Sequence, residues 1–76
     1  MTGTPWGKGT ITDLSRGGCG LATWLPLSPG DWVEVSFTPS ERRTPLRREG
    51  RVRRAQQMGD KVLAGVEFAE ALPDWP

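Results

Sequence analysis

The placement of proline and glycine constrains this chain more than any other feature of its sequence. Seven prolines and ten glycines are spread over 76 residues. The prolines are Pro5, Pro26, Pro29, Pro39, Pro45, Pro73 and Pro76. Proline lacks a backbone N–H and glycine loses conformational entropy in a helix, so each of these positions ends or weakens a helix that crosses it. No long helical window remains, and we expect an all-β fold.

Five segments with β-like patterns lie between these turn signals. The clearest is the third, in which Val33, Val35 and Phe37 alternate with polar residues and therefore share one face of a strand. Gly59-Asp60 predicts a hairpin between the last two segments, and Gly50 predicts a bulge or a close approach of another backbone. The predicted strands are residues 8–14, 19–25, 32–38, 47–57 and 61–69. Short strands at this spacing favour a small antiparallel barrel.

The composition is that of a single small domain spanning residues 1–76. Hydrophobic residues make up 36% of the chain, which is enough for a modest core, and the net charge of +1 creates no overall field towards nucleic acid or anionic lipid. With no histidine and one cysteine, the chain cannot form a Ser-His-Asp or Cys-His site, a structural zinc site or an internal disulfide. We find no phosphate-binding glycine loop, no membrane-spanning apolar run and no signal-peptide pattern. We therefore expect a cytoplasmic protein without enzymatic activity, cofactor, metal or membrane insertion.

The best candidate for a ligand site lies at the end of the first predicted strand. Asp13 ends a β-like run, Ser15 follows two residues later, and Gly18 follows after three more. This order places a carboxylate and a hydroxyl beside backbone that carries no Cβ, where a flat ligand can approach closely. The same residues also fit a turn in which the two side chains cap backbone N–H groups. The residues alone leave both interpretations open.

The pattern Asp-x-Ser-x-x-Gly after a strand resembles the second signature of PilZ domains, which are bacterial receptors for cyclic di-GMP. Three further segments resemble the family in the same order and spacing, so that the resemblance covers about residues 7–69. They are residues 26–35, with Gly30-Asp31 before an alternating strand, residues 50–54, and residues 64–68. The resemblance implies that Asp13 and Ser15 contact a guanine of cyclic di-GMP, with Gly18 allowing the base to approach.

The resemblance also implies an architecture. PilZ domains form six-stranded barrels, and five predicted strands would leave the barrel incomplete. An incomplete barrel has an exposed edge, and such an edge favours pairing with another chain, either a second copy or a protein partner. From its position in the C-terminal tail, Trp75 is expected either to cap one open end of the barrel or to belong to a loose end of the chain.

The first PilZ signature, Arg-x-x-x-Arg upstream of the motif, is absent because no arginine precedes Asp13. In the family these arginines contact the phosphates and the purine edges of the ligand. Arg16, inside the motif, is the nearest cation by sequence and is the best substitute. Arg43 and Arg47 have the right mutual spacing, but they could substitute only if their loop folded across the barrel mouth. Seven arginines between residues 42 and 54 are more typical of a solvated strand edge.

Three functions are consistent with these residues. The first is a PilZ-type regulatory module that binds cyclic di-GMP through Asp13 and Ser15. The alternative is a PilZ-like adaptor that acts through protein contacts without nucleotide, for example in type IV pilus or exopolysaccharide control. The third, a β-barrel that binds single-stranded nucleic acid through its arginines and tryptophans, is disfavoured by the near-neutral net charge.

Overall fold

The structure is a computed structural model that describes residues 9–38 and 43–72. Within these residues the chain forms five strands and no helix, which confirms the predicted all-β class. The strands are β1 (Gly9–Ser15), β2 (Gly18–Thr23), β3 (Trp32–Phe37), β4 (Leu46–Met58) and β5 (Lys61–Phe68). Each boundary lies within two residues of its predicted position. Lys8, at the predicted start of β1, and Trp75 lie outside the described residues.

The five strands form one antiparallel sheet in the order β1-β2-β5-β4-β3. β5 is therefore central, and β1 and β3 are the two edges. The sheet curls into a half-barrel, and in the described residues its two edges do not pair with each other. The incomplete barrel predicted from the sequence is thus confirmed. An apolar cleft of about 470 Å³, the edge cleft, lies between the two edges and is lined mainly by Ile11, Leu21, Leu25, Leu27, Val33 and Phe37.

Two turns show how local sequence sets the strand ends. Gly30 follows Pro29 and has a φ of 95°, and the Asp31 N–H donates to the Ser28 carbonyl at 3.1 Å. Proline followed by a glycine of positive φ is the pattern of a type II turn, which here leads into β3. Gly59 has a φ of 65° and opens the predicted hairpin between β4 and β5.

The hydrophobic core lies on the concave face of the half-barrel. Alternation along β5 turns Val62, Ala64, Val66 and Phe68 towards this face, as their spacing predicts. Val52 of β4 is fully buried against them, with 0% of its surface exposed. The buried apolar residues are Cys19, Val35, Val52, Val62, Ala64, Val66, Phe68 and Leu72.

Gly50 of β4 is a point of close approach rather than a bulge. It pairs with Phe68, and a Cβ at this position would lie 2.6 Å from Val66 Cγ1 and 2.8 Å from the Glu67 carbonyl oxygen. The register shift in β4 instead falls between Val52 and Arg54. Of the two predicted roles for Gly50, close approach is the one that the structure shows.

Candidate functional site

Asp13 reaches the convex face of the sheet because β1 contains a bulge. The pairing of β1 with β2 runs from Ile11 with Leu21 to Asp13 with Gly20, which leaves Thr12 as an extra residue. Strict alternation would put Asp13 on the same face as Ile11, which packs against the core. The extra residue shifts the alternation by one position, and the carboxylate therefore points outwards.

The Asp13 carboxylate lies directly over Gly20. Its Oδ1 accepts a hydrogen bond from the Gly20 N–H at 3.1 Å. A Cβ on Gly20 would lie 2.6 Å from both Asp13 Oδ2 and Thr12 Oγ1. Only glycine leaves room for this arrangement, so Gly20 is part of the site although the motif does not include it.

Ser15 and Gly18 form the two ends of the turn that joins β1 to β2. The Ser15 hydroxyl donates to the Gly18 carbonyl at 3.3 Å. A Cβ on Gly18 would collide with the Val66 carbonyl oxygen of β5. Gly18 is therefore required by the packing of β2 against β5, a structural reason that the sequence pattern does not reveal.

The end of β5 and the residues that follow it form hydrogen bonds with this turn. The Phe68 N–H donates to the Gly17 carbonyl at 2.8 Å, and the Leu72 N–H donates to the Arg16 carbonyl at 2.9 Å. Leu72 is almost fully buried, with 1% of its surface exposed. The turn is thus held by backbone hydrogen bonds to two buried residues, Phe68 and Leu72, and these bonds fix the position of the adjoining Ser15.

A second bulge, in β4, brings Arg54 to the same surface. The pairing of β4 with β5 runs from Val52 with Val66 to Arg54 with Gly65, so that Arg53 is the extra residue. A Cβ on Gly65 would lie 3.0 Å from Arg54 Nε and 3.1 Å from Arg54 Cγ. The Arg54 side chain therefore lies across Gly65, on the convex face.

Asp13, Gly20, Gly65 and Arg54 form a continuous row across four strands. Gly20 pairs with Gly65 across β2 and β5, and each glycine pairs with one of the two charged residues. We call the two glycines the glycine floor. Asp13 and Arg54 together border two depressions beside this floor, of about 530 and 420 Å³.

Some of the described arginines between residues 42 and 54 have partners in the structure, and others do not. Arg53 forms an ion pair with Glu67. The Glu67 Oε1 atom lies 2.5 Å from Arg53 Nη2 and 2.9 Å from Arg53 Nε. Arg51 lies 4.2 Å from the ring centroid of Trp32. Arg54, in contrast, forms no ion pair or hydrogen bond within residues 9–38 and 43–72.

The three other arginines proposed from the sequence lie elsewhere. Arg47 of β4 pairs with Ser36 of β3 and borders a different depression, with Glu34 and Glu49. Arg43 is exposed before β4 and borders neither of the depressions beside the glycine floor. Arg16 is exposed in the β1–β2 turn, next to Ser15. Of the described arginines, Arg54 borders both depressions beside the glycine floor and Arg53 borders one of them, and the sequence analysis singled out neither.

The carboxylate of Asp13 also affects the core side of the sheet. Burial raises the pKa of the Cys19 thiol, and the negative charge of Asp13 raises it further. Cys19 is 5% exposed and belongs to the hydrophobic core, so it stays protonated at neutral pH. The charge of Asp13 therefore acts on a core residue of the neighbouring strand β2.

The family of the chain follows from a comparison with known families. A family model described as a PilZ domain matches residues 1–74 of the 76-residue chain. The chain belongs to the PilZ family. No curated protein and no solved structure matches it. The resemblance inferred from the four sequence segments is thereby confirmed.

PilZ domains are binding and regulatory modules of cyclic di-GMP signalling rather than catalysts, and this is the general role of the chain. Asp13 and Ser15 lie on the convex face of the half-barrel. In the described residues, no helix has the length and apolar character needed to cross a membrane.

Proposed function

We propose that this PilZ domain binds cyclic di-GMP on its convex face, with one guanine held by Asp13 and Ser15 above the glycine floor. The observation that carries the proposal is the bulge in β1, which turns the Asp13 carboxylate outwards over Gly20. A carboxylate that served only to cap its own turn would need neither the bulge nor a glycine in the next strand. A purely turn-capping role for the motif therefore accounts for less of the geometry.

The chemistry of the site suits guanine. A carboxylate has about four lone-pair positions, and Asp13 uses one of them for the Gly20 N–H. The remaining positions can accept the N1–H and the exocyclic amine of guanine as two parallel, charge-assisted bonds. Ser15 can act as donor or acceptor once its hydroxyl leaves the Gly18 carbonyl. Arg16, in the adjoining turn, supplies positive charge for the phosphates of the ligand.

Calorimetric titration with cyclic di-GMP tests the proposal. Asp13→Asn keeps the size of the side chain but removes the charge and one acceptor, so we expect affinity to fall by about 10- to 100-fold. Asp60→Asn, an equivalent change in the exposed β4–β5 turn, is the matched control and should bind like the parent protein. Absence of heat at about millimolar ligand, or equal binding by Asp13→Asn and the parent protein, would contradict the proposal.

The adaptor function remains a second candidate because of the edge cleft. The edge strands β1 and β3 flank an apolar opening of about 470 Å³, which a strand from another chain could cover. If a second copy covers it, sedimentation velocity should show association that Leu25→Lys in the cleft removes and Leu63→Lys on the convex face does not. A monomer at every concentration would exclude self-association through this cleft.

A further inference from the structure

We propose that Arg54 completes the guanine site: it donates to O6 and N7 of the same base whose N1–H and amino group Asp13 accepts. The proposal deepens the proposed function and rests on it. It assigns the cation of the site to a residue of β4, on the opposite side of the glycine floor from the PilZ motif.

The first reason is that the two bulges face each other across the glycine floor. In β1 the extra residue is Thr12, which lies opposite the step from Leu21 to Gly20 in β2. In β4 the extra residue is Arg53, which lies opposite the step from Val66 to Gly65 in β5. Gly20 pairs with Gly65, so both shifts occur at the same level of the sheet. Each shift turns the charged residue that follows it onto the convex face. Two independent irregularities thus direct opposite charges at one surface.

The second reason is the position of the Arg54 side chain. It lies along Gly65, with Nε and Cγ about as close to that glycine as packing permits. Paired Cα atoms in neighbouring antiparallel strands are about 5 Å apart. From β4, the Arg54 side chain therefore extends across β5 in the direction of β2 and β1, where Asp13 lies over Gly20. No ion pair joins Asp13 to Arg54 in the described part of the chain. A gap therefore remains between the two charged groups, with glycine beneath it.

The third reason is that the donors of Arg54 are unused, whereas those of its neighbour are not. Arg53 is held by Glu67, and Arg51 lies against Trp32. Arg54 has no such partner within residues 9–38 and 43–72. A guanidinium carries a fork of donors in a fixed plane, and the edge of guanine that bears O6 and N7 accepts two of them in parallel.

Together the two charged groups select guanine over adenine. Guanine offers two donors to the carboxylate on one edge and two acceptors to the guanidinium on the next. Adenine would place its amino donor near the guanidinium and an unprotonated ring nitrogen near the carboxylate, so neither contact could be bidentate, although N7 could still accept one bond. The two glycines lack a Cβ, and this leaves the space over the sheet that the Asp13 and Arg54 side chains occupy.

The decisive experiment pairs a change in the protein with a change in the ligand. Calorimetry compares cyclic di-GMP with an analogue in which N7 of each guanine is replaced by a C–H group. The parent protein should bind the analogue about 10-fold more weakly, since one good bidentate contact discriminates by roughly 10- to 100-fold. Arg54→Met keeps the stem over Gly65 and should bind both ligands equally, about 10- to 100-fold more weakly than the parent protein binds cyclic di-GMP.

Three controls separate recognition of the base from a general charge effect and from a loss of folding. Arg53→Met removes the neighbouring, ion-paired arginine and should still distinguish the two ligands. Arg54→Lys keeps the charge but replaces the planar fork with a single ammonium, which can still donate to N7, so it should keep part of the discrimination that Arg54→Met loses. Thermal unfolding should show that each variant folds like the parent protein, since Arg54 is exposed on the convex face.

Each remaining outcome overturns the proposal. If Arg54→Met weakens both ligands but still distinguishes them, Arg54 contacts a phosphate and does not read the base. If Asp13→Asn loses binding while Arg54→Met binds normally, the proposed function stands and the role of Arg54 is wrong. If the parent protein binds neither ligand, both proposals fail.

Discussion

The two faces of the half-barrel use the same strands for different purposes. On the concave face β5 presents Val62, Ala64, Val66 and Phe68, all of which are buried. On the convex face the same strand presents Lys61, Leu63, Gly65 and Glu67, and Gly65 lies at the level of Asp13 and Arg54. The concave face therefore supplies stability, and the central position of β5 gives the convex face a rigid base. Substitutions on the two faces should separate stability from binding.

The largest effect is expected at the centre of the concave face. Val52→Ala removes two methyl groups from a side chain with 0% exposure, and should lower the free energy of unfolding by about 2–3 kcal/mol. Leu63→Ala on the convex face is the control, since Leu63 is 39% exposed and its truncation should cost less than about 1 kcal/mol. Urea denaturation measures both. Equal losses would show that the convex face contributes to the core after all.

The next largest effect tests whether the motif glycine belongs to the fold or only to the ligand site. Gly18→Ala would force its Cβ against the Val66 carbonyl, and should lower the free energy of unfolding by about 1–3 kcal/mol. Gly17→Ala is the matched control, because no atom lies within 4 Å of the added Cβ. It should leave stability unchanged within about 0.5 kcal/mol. Similar melting temperatures for the two variants would mean that Gly18 serves the ligand alone.

The smallest effect links the two faces through Cys19. Burial and the Asp13 charge raise the pKa of its thiol, so the folded state favours the protonated form. The resulting stabilisation is complete below the ordinary thiol pKa and is lost as the pH rises through the raised value. The free energy of unfolding should therefore begin to fall above about pH 8.5.

Asp13→Asn removes the smaller of the two causes and should move the Cys19 titration to lower pH, as followed by the ultraviolet absorbance of the thiolate. Asp60→Asn should leave it unchanged. An identical titration in Asp13→Asn would show that the carboxylate does not act across the sheet.

Much of the fold could be predicted from the sequence because its signals are local. Alternating side chains defined β3 and β5, and Gly30 and Gly59 marked turns that the structure contains. The family was likewise accessible, since the motif from Asp13 to Gly18 and three later segments lie in the family's order. The candidate site was predicted only in part: Asp13, Ser15 and Gly18 were singled out, whereas Gly20, Gly65 and Arg54 were not.

The sequence by itself determined the five strands to within two residues, the buried stripe of β5, and that a carboxylate and a hydroxyl stand at the end of β1. Only the tertiary structure decided which cation faces that carboxylate. Asp13 and Arg54 are 41 residues apart in the chain, and they lie in one row across the sheet because Gly20 of β2 and Gly65 of β5 pair with each other between them. Their orientation depends on two bulges, and a shift of one residue moves a side chain to the other face. Strand order and register follow from non-local pairing, which alternation along a single strand does not specify.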